Sequence, residues 1–192
     1  LARPPAPDGC ANAVSAGRED GRAEDVEALI ASSSVSAPRQ WVSPFALTEP
    51  IAPHIAAKRE GVRIDLDVIA TAFLKLKNLA DVVVVEGVGG FVVPLNERET
   101  TADLAQRLEL PVLLVVGLRL GCLNHALLTA EAVRSRGLPL AGWVGNQIVP
   151  GLPALNENVE ALEHRLGAPC LGVVPFLGHP APEAVAPLLR NL

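Results

Sequence analysis

The hydrophobic pattern of the chain changes character at Asp81. From there on, short unbroken apolar runs alternate with longer segments that carry leucine and alanine at helical spacing. Asp81–Gly87 (DVVVVEG) is a valine run closed by glycine, and Pro111–Gly117 (PVLLVVG) repeats it. Ala141–Val149 (AGWVGNQIV) and Cys170–Phe176 (CLGVVPF) follow the same rule. β-Branched runs that are apolar on both faces mark strands of a parallel sheet covered by helices on each side. Between them, Thr101–Leu108, Asn124–Arg136 and Asn156–Leu166 gather apolar residues on one helical face and charges on the other. Gly137 and Gly167 stand where a helix C-terminus takes a left-handed residue. Strand alternating with helix predicts an α/β fold with a doubly wound, mostly parallel sheet.

Before Asp81 the pattern is less regular. Pro4 to Gly21 is rich in Pro, Gly, Ala and Asp and is expected to form a loop. Asp25–Ser32 predicts a short helix, Trp41–Phe45 a strand, and Pro53–Glu60 and Leu66–Asn78 two further helices. With no internal repeat and no second core visible in the pattern, residues 1–192 are expected to form a single domain.

Composition narrows the function classes. Apolar residues make up 49% of the chain and charged residues 19%, which excludes a disordered or fibrous protein. A net charge of −5 argues against electrostatic binding to a nucleic-acid backbone. Three cysteines, Cys10, Cys122 and Cys170, are widely spaced and fit neither a disulfide framework nor a zinc knot, so a reducing, cytoplasmic setting is expected. No apolar run reaches membrane-spanning length, and the N-terminus lacks the apolar stretch of a signal peptide. The chain contains no methionine and begins with Leu1, which suggests that its beginning is missing from this sequence.

An open α/β sheet binds its ligand at the carboxyl ends of its strands. That rule selects Glu86–Gly90, Gly117–Asn124, Asn146–Gly151 and Pro175–Glu183. Glu86 closes a valine strand and precedes Gly87-Val88-Gly89-Gly90. A carboxylate there either caps a loop or holds a hard cation such as Mg²⁺, which takes carboxylate oxygens and keeps several waters. Gly117–Asn124 (GLRLGCLN) joins a strand to a helix, whose free N–H groups attract anions; Arg119 adds charge. The same stretch is also readable as an ordinary turn, with Asn124 as a cap and Cys122 as a small buried residue. Asn146 can pair with the N6/N7 edge of adenine or merely brace its loop. Pro175, Leu177 and Glu183 border the next strand end and can wall a base and reach a ribose. Asp25 is either a helix cap or a second cation ligand. The four histidines, His54, His125, His164 and His179, show no metal-ligand spacing, and no GxxxxGK[ST] phosphate loop occurs in the 192 residues.

Taken in order, Glu49–Gly61 (EPIAPHIAAKREG), Asp81–Leu95 (DVVVVEGVGGFVVPL), Thr100–Val133, Gly137–Pro150 and Leu171–Leu177 resemble the dethiobiotin synthetases, the ATP-dependent carboxylases of the biotin pathway. The likeness runs from about Asp25 to near Glu183, and the block around Gly117–Thr129 is its most specific part. The resemblance implies a P-loop-type parallel sheet, a homodimer, ATP and Mg²⁺. It also implies a reaction in which 7,8-diaminopelargonic acid and CO₂ give a carbamate that is phosphorylated and closed to dethiobiotin.

By position, Glu86 looks like the Mg²⁺ carboxylate and Asp25 its partner acid. Asn146, Pro175, Leu177 and Glu183 look like nucleotide contacts, and Gly89 lies along the substrate channel. Leu120, Gly121, Cys122 and Asn124 look like the helix start that receives the substrate carboxylate from the neighbouring subunit. Arg3 is the nearest match to a lysine that contacts the carbamate. Departures are Ala52 in place of a small hydroxyl residue, no tyrosine near Asn158, and no strand and phosphate loop at the start. In such a fold the strand feeding the phosphate loop is central, so its two neighbours are expected to show unpaired edges, each unmade buried bond costing roughly 1–3 kcal/mol. The alternative is a catalytically inactive, P-loop-less paralogue or fragment that keeps only a dimeric binding surface.

Overall fold

The computed structural model describes residues 8–17, 23–178 and 180–189. They fall into two compact units, divided between Leu108 and Glu109.

The first unit runs β1 (Asp8–Asn12), β2 (Val14–Ala16), α1 (Glu24–Ser32), α2 (Arg39–Val42), β3 (Phe45–Leu47), α3 (Pro53–Arg59), α4 (Leu66–Lys77), β4 (Val82–Glu86) and α5 (Thr101–Leu108). β1 pairs in parallel with β4, from Asp8 opposite Val82 to Asn12 opposite Glu86, and β2 pairs in parallel with β3. Helix α4 forms because Asp65 caps it, accepting from the Asp67 N–H at 2.8 Å, and because Leu66, Ile69, Ala72, Phe73 and Leu76 recur on one buried face. Pro53 opens α3, where a missing N–H costs nothing. The main core gathers Val14, Leu47, Ala56, Ile64, Leu66 and Leu95, and a smaller one gathers Ala23, Val26 and Val42.

Two expectations for this unit are corrected. The stretch Pro4–Gly21 does not form a loop throughout: its described residues hold β1 and β2. Strand residues such as Gly9 and Ala11 have little intrinsic preference for extended structure, and pairing with the valines of β4 supplies what the local sequence does not. Nor is Trp41–Phe45 a strand. Pro38 starts a helical turn in which Trp41 and Val42 donate to its carbonyl, and only Phe45–Leu47 is extended.

The second unit runs β5 (Val112–Leu118), α6 (Cys122–Ser135), β6 (Leu140–Gln147), α7 (Leu155–Leu166), β7 (Cys170–Val174) and a short α8 (Pro182–Val185). Its strands form one parallel sheet in the order β5-β6-β7. Trp143 is fully buried in a core with Val116, Leu118, Ala130, Leu162 and Leu166. Gly142 lets Leu171 approach: a Cβ there would stand 2.7 Å from a Leu171 methyl. Gly137 and Gly167 adopt positive φ at the ends of α6 and α7, as the pattern predicts. All strand pairs in both units are parallel, in keeping with the α/β expectation.

Among the described residues β4 and β5 each pair on one side only. Both expose apolar side chains, Val84 at 54% and Val115 at 65%.

Candidate functional site

In the first unit the chemistry collects where β4 ends. The register sets Asn12 opposite Glu86, and the Ala13 N–H donates to the Glu86 carbonyl at 3.4 Å. Opposed residues of paired strands share a face. Asp25 comes from the second position of α1, whose cap position belongs to Ala23, so Asp25 is not the cap. Its carboxylate accepts from the Asn12 side-chain N–H at 2.9 Å, from the Ser15 hydroxyl at 3.0 and 3.1 Å, and from the Val26 N–H at 2.8 Å. Asn12 and Ser15 are 3% and 1% exposed, so these bonds are shielded from water.

Glu86 itself reaches solvent, yet enough protein surrounds its carboxyl to raise its pKa. Desolvation is the larger cause and the nearby charge of Asp25 the smaller. The charge of Asp25 thus disfavours ionisation of Glu86, and the two carboxylates lie close enough to interact. Among the described residues no third His, Cys, Asp or Glu joins them.

Past Glu86 the chain turns through Gly89 and Gly90, both at positive φ and both exposed. A Cβ at Gly89 would lie at an ordinary 3.5 Å from Val93, so backbone conformation rather than space selects glycine. The loop is pinned at its far end by Thr101, whose hydroxyl accepts from the Val93 N–H at 2.9 Å and lies 2.6 Å from the Phe91 carbonyl.

In the second unit Gly117, Asn146 and Val174 stand side by side across the three strands, so the carboxyl ends of β5, β6 and β7 are level. Asn146 is half-buried there. Phe176 donates its N–H to the Gln147 side chain at 3.3 Å, which holds the Pro175–Leu177 segment to the end of β6. Glu183 is exposed in the first turn of α8. Helix α6 begins two residues earlier than the pattern predicts. Gly121, at φ +90°, is its cap residue and Asn124 is its exposed third residue, so the cap reading of Asn124 is corrected. Leu120 is 94% exposed, whereas Cys122 is buried and its N–H bonds to the Arg119 carbonyl at 3.0 Å. Cys122 is thus a packing residue whose backbone N–H is already engaged.

The structure therefore brings Asp25 and Glu86 together in one unit, and Asn146 with the Pro175 segment in the other. Arg3 lies outside the described residues. The polar partners that sequence reasoning misses are Asn12 and Ser15. The only trace of them was two polar residues set among small apolar ones, Ala11, Ala13, Val14 and Ala16.

The sequence profile of a family described as an AAA domain matches residues 13–184. Among curated proteins, the chain is similar to the ATP-dependent dethiobiotin synthetase BioD of Nitrosospira multiformis, at 58% identity over 163 residues, 85% of this chain and 72% of that protein. The protein of the same name from Janthinobacterium sp. is 51% identical over 86% of this chain and 70% of its own length. That from Aromatoleum aromaticum is 54% identical over 87% of this chain and 74% of its own length.

Proposed function

The chain belongs to the dethiobiotin synthetase family, and from that premise we propose that it is an ATP-dependent cyclo-ligase converting 7,8-diaminopelargonic acid and CO₂ to dethiobiotin in biotin biosynthesis. The family match runs through both units, which supports reading residues 1–192 as parts of one domain. The observation that carries the functional reading is the Asp25–Glu86 carboxylate pair at the strand end, one member hydrogen-bonded from three sides and the other with a raised pKa.

An amine of the substrate adds to CO₂ and loses a proton, leaving a carbamate. A carbamate oxygen takes the γ-phosphoryl group of ATP and releases ADP. The neighbouring amine then attacks the carbamate carbon, expels phosphate and closes the ureido ring. Little of this needs covalent help from the protein; positioning and charge neutralisation dominate phosphoryl transfer. Mg²⁺ bound at this site offsets the negative charge of the phosphates. Asp25 and Glu86 fit it, since a hard cation takes carboxylate oxygens and their own repulsion is relieved by it.

Asn146, level with the strand ends, is assigned to the adenine edge, with Pro175, Leu177 and Glu183 as the remaining nucleotide contacts. Gly89 flanks the substrate channel, where its exposed backbone leaves room for a ligand chain. The start of α6, through Leu120, Gly121, Cys122 and Asn124, is assigned to the substrate carboxylate of a second subunit in a homodimer. Since the Cys122 N–H is engaged and its side chain buried, the later amides of that turn and the Asn124 side chain carry the contact. A cytoplasmic setting agrees with this chemistry, and among the described residues no helix is long and apolar enough to cross a membrane.

The test uses the protein expressed from its own gene with ATP, Mg²⁺, bicarbonate and 7,8-diaminopelargonic acid. ADP is expected only when diamine and bicarbonate are both present, with dethiobiotin formed in equal amount. ATP binding or hydrolysis without that product would overturn the proposal in favour of a non-catalytic paralogue.

A further inference from the structure

The side chain of Asn12 has one amide atom committed and the other unsatisfied. Its N–H₂ donates to Asp25 at 2.9 Å, which fixes the direction of the amide plane. Its carbonyl oxygen is buried and meets no donor among the described residues. Buried polar atoms are seldom left so, because each unmade bond costs about 1–3 kcal/mol. Rotating away to find a donor would break the bond to Asp25 and leave that carboxylate short of a partner as well.

The sheet sets which acids neighbour Asn12. Asn12 stands opposite Glu86 in the β1–β4 register, on the same face, and is bonded to Asp25. Asp25 receives three protons, from Asn12, Ser15 and Val26. An ionised carboxylate offers about four lone-pair positions, so one remains. A hard divalent cation takes carboxylate and amide carbonyl oxygens alike. No further acid, His or Cys joins the pair among the described residues, so a further side-chain ligand drawn from these residues is a neutral oxygen.

We infer that Asn12 supplies the third protein oxygen of the cation site, its side-chain carbonyl completing a set with the carboxylates of Asp25 and Glu86. This rests on the reading of Asp25 and Glu86 as cation ligands, and it adds a ligand from a segment in which the sequence pattern shows only a loop. The inward position of Asn12 and the outward position of Glu86 place the ion at the boundary of protein and solvent, where retained waters fill the remaining coordination.

Mn²⁺ is the probe, its binding followed by titration calorimetry or by the loss of the free-ion electron paramagnetic signal, with circular dichroism confirming the fold. The wild-type chain is expected to bind one Mn²⁺. Asn12→Ala should weaken it about tenfold, the lower end of what loss of a supporting group costs a metal site. Asn12→Asp keeps an oxygen at this position and adds charge while giving up the N–H bond to Asp25, and with the cation present it should bind at least as tightly as wild type. Glu86→Gln should weaken binding more than Asn12→Ala does. If Glu86→Gln loses Mn²⁺ while Asn12→Ala keeps wild-type affinity, the role of Asn12 falls and the carboxylate pair stands. If the wild type binds no Mn²⁺, or Glu86→Gln binds as well as wild type, both readings fall. Should Asn12→Ala not fold, a folded Asn12→Asp protein with weaker binding than wild type overturns the inference by itself.

Discussion

The two units place their proposed chemistry in different parts of the chain. Up to Leu108 it rests on side chains: Asp25, Glu86 and the buried Asn12 and Ser15 that surround them. From Glu109 on it rests mainly on backbone: the Gly121 turn at the start of α6 and the level ends of three strands, with Asn146 the chief exception. The cores differ in the same sense. The second unit is built round one large aromatic, Trp143, while the first is assembled from aliphatic residues and alanines spread over two small paired sheets. The second unit should therefore be sensitive to core truncation and the first to loss of single polar partners.

The sharpest way to break that contrast is Trp143→Ala. It should destabilise the protein by about 3–5 kcal/mol, as expected for an aromatic fully buried in a close-packed core, and urea denaturation measures it. A cost below about 1 kcal/mol would mean that the second unit is not organised round this residue. Next comes Asp25→Ala, which strips the acceptor from buried Asn12 and Ser15 and should cost about 2–3 kcal/mol; the same measurement serves. If the cost is negligible, the polar cluster does not hold β1 and β2 to α1.

Smaller in scale, Asn146→Ala should weaken ATP binding about tenfold, near 1.4 kcal/mol, with stability changed by no more than about 0.5 kcal/mol. Fluorescent ATP and GTP analogues check it, since loss of an adenine-edge contact lowers affinity for the first and not the second. The smallest effect on stability is expected from Val115→Lys on the exposed edge of β5, within about 0.5 kcal/mol. Its consequence lies elsewhere: a charge on an unpaired apolar edge should reduce self-association, seen by light scattering. Unchanged scattering would mean that this edge is not the sticky surface.

The second unit was largely legible in the sequence. Its valine and leucine runs, its helices with one apolar face and its terminal glycines follow rules that need no long-range information, and α6 and α7 lie within two residues of their expected bounds. The first unit was legible where helices are amphipathic, as in α3 and α4, and opaque where strands are short. β1 is Asp-Gly-Cys-Ala-Asn, a composition that argues for a turn; its extended form comes from a partner strand far along the chain. The site divides in the same way. Glu86 announces itself as an acid closing an apolar run. Asp25 looks locally like a cap, and only the family likeness marks it as an acid partner. Asn12 has no local signal, because an unsatisfied buried carbonyl exists only once β1, β4 and α1 have been brought together.

The central claim is that Glu86 serves the chemistry and not the fold. Its raised pKa fixes the sign of its contribution. An acid whose folded pKa exceeds its ordinary value, here 4.5, contributes stability below that value and loses it as pH rises through the raised pKa. Well above that value Glu86 is thus unfavourable to folding, and Glu86→Gln removes that cost. The most direct test measures turnover and urea stability together, for wild type and Glu86→Gln, in the protein expressed from its own gene. The account predicts dethiobiotin formation lowered at least about 100-fold, equivalent to about 2.7 kcal/mol of barrier, with stability at pH 7.5 unchanged or slightly higher. Turnover that survives the substitution, or that falls only in step with lost stability, would contradict it.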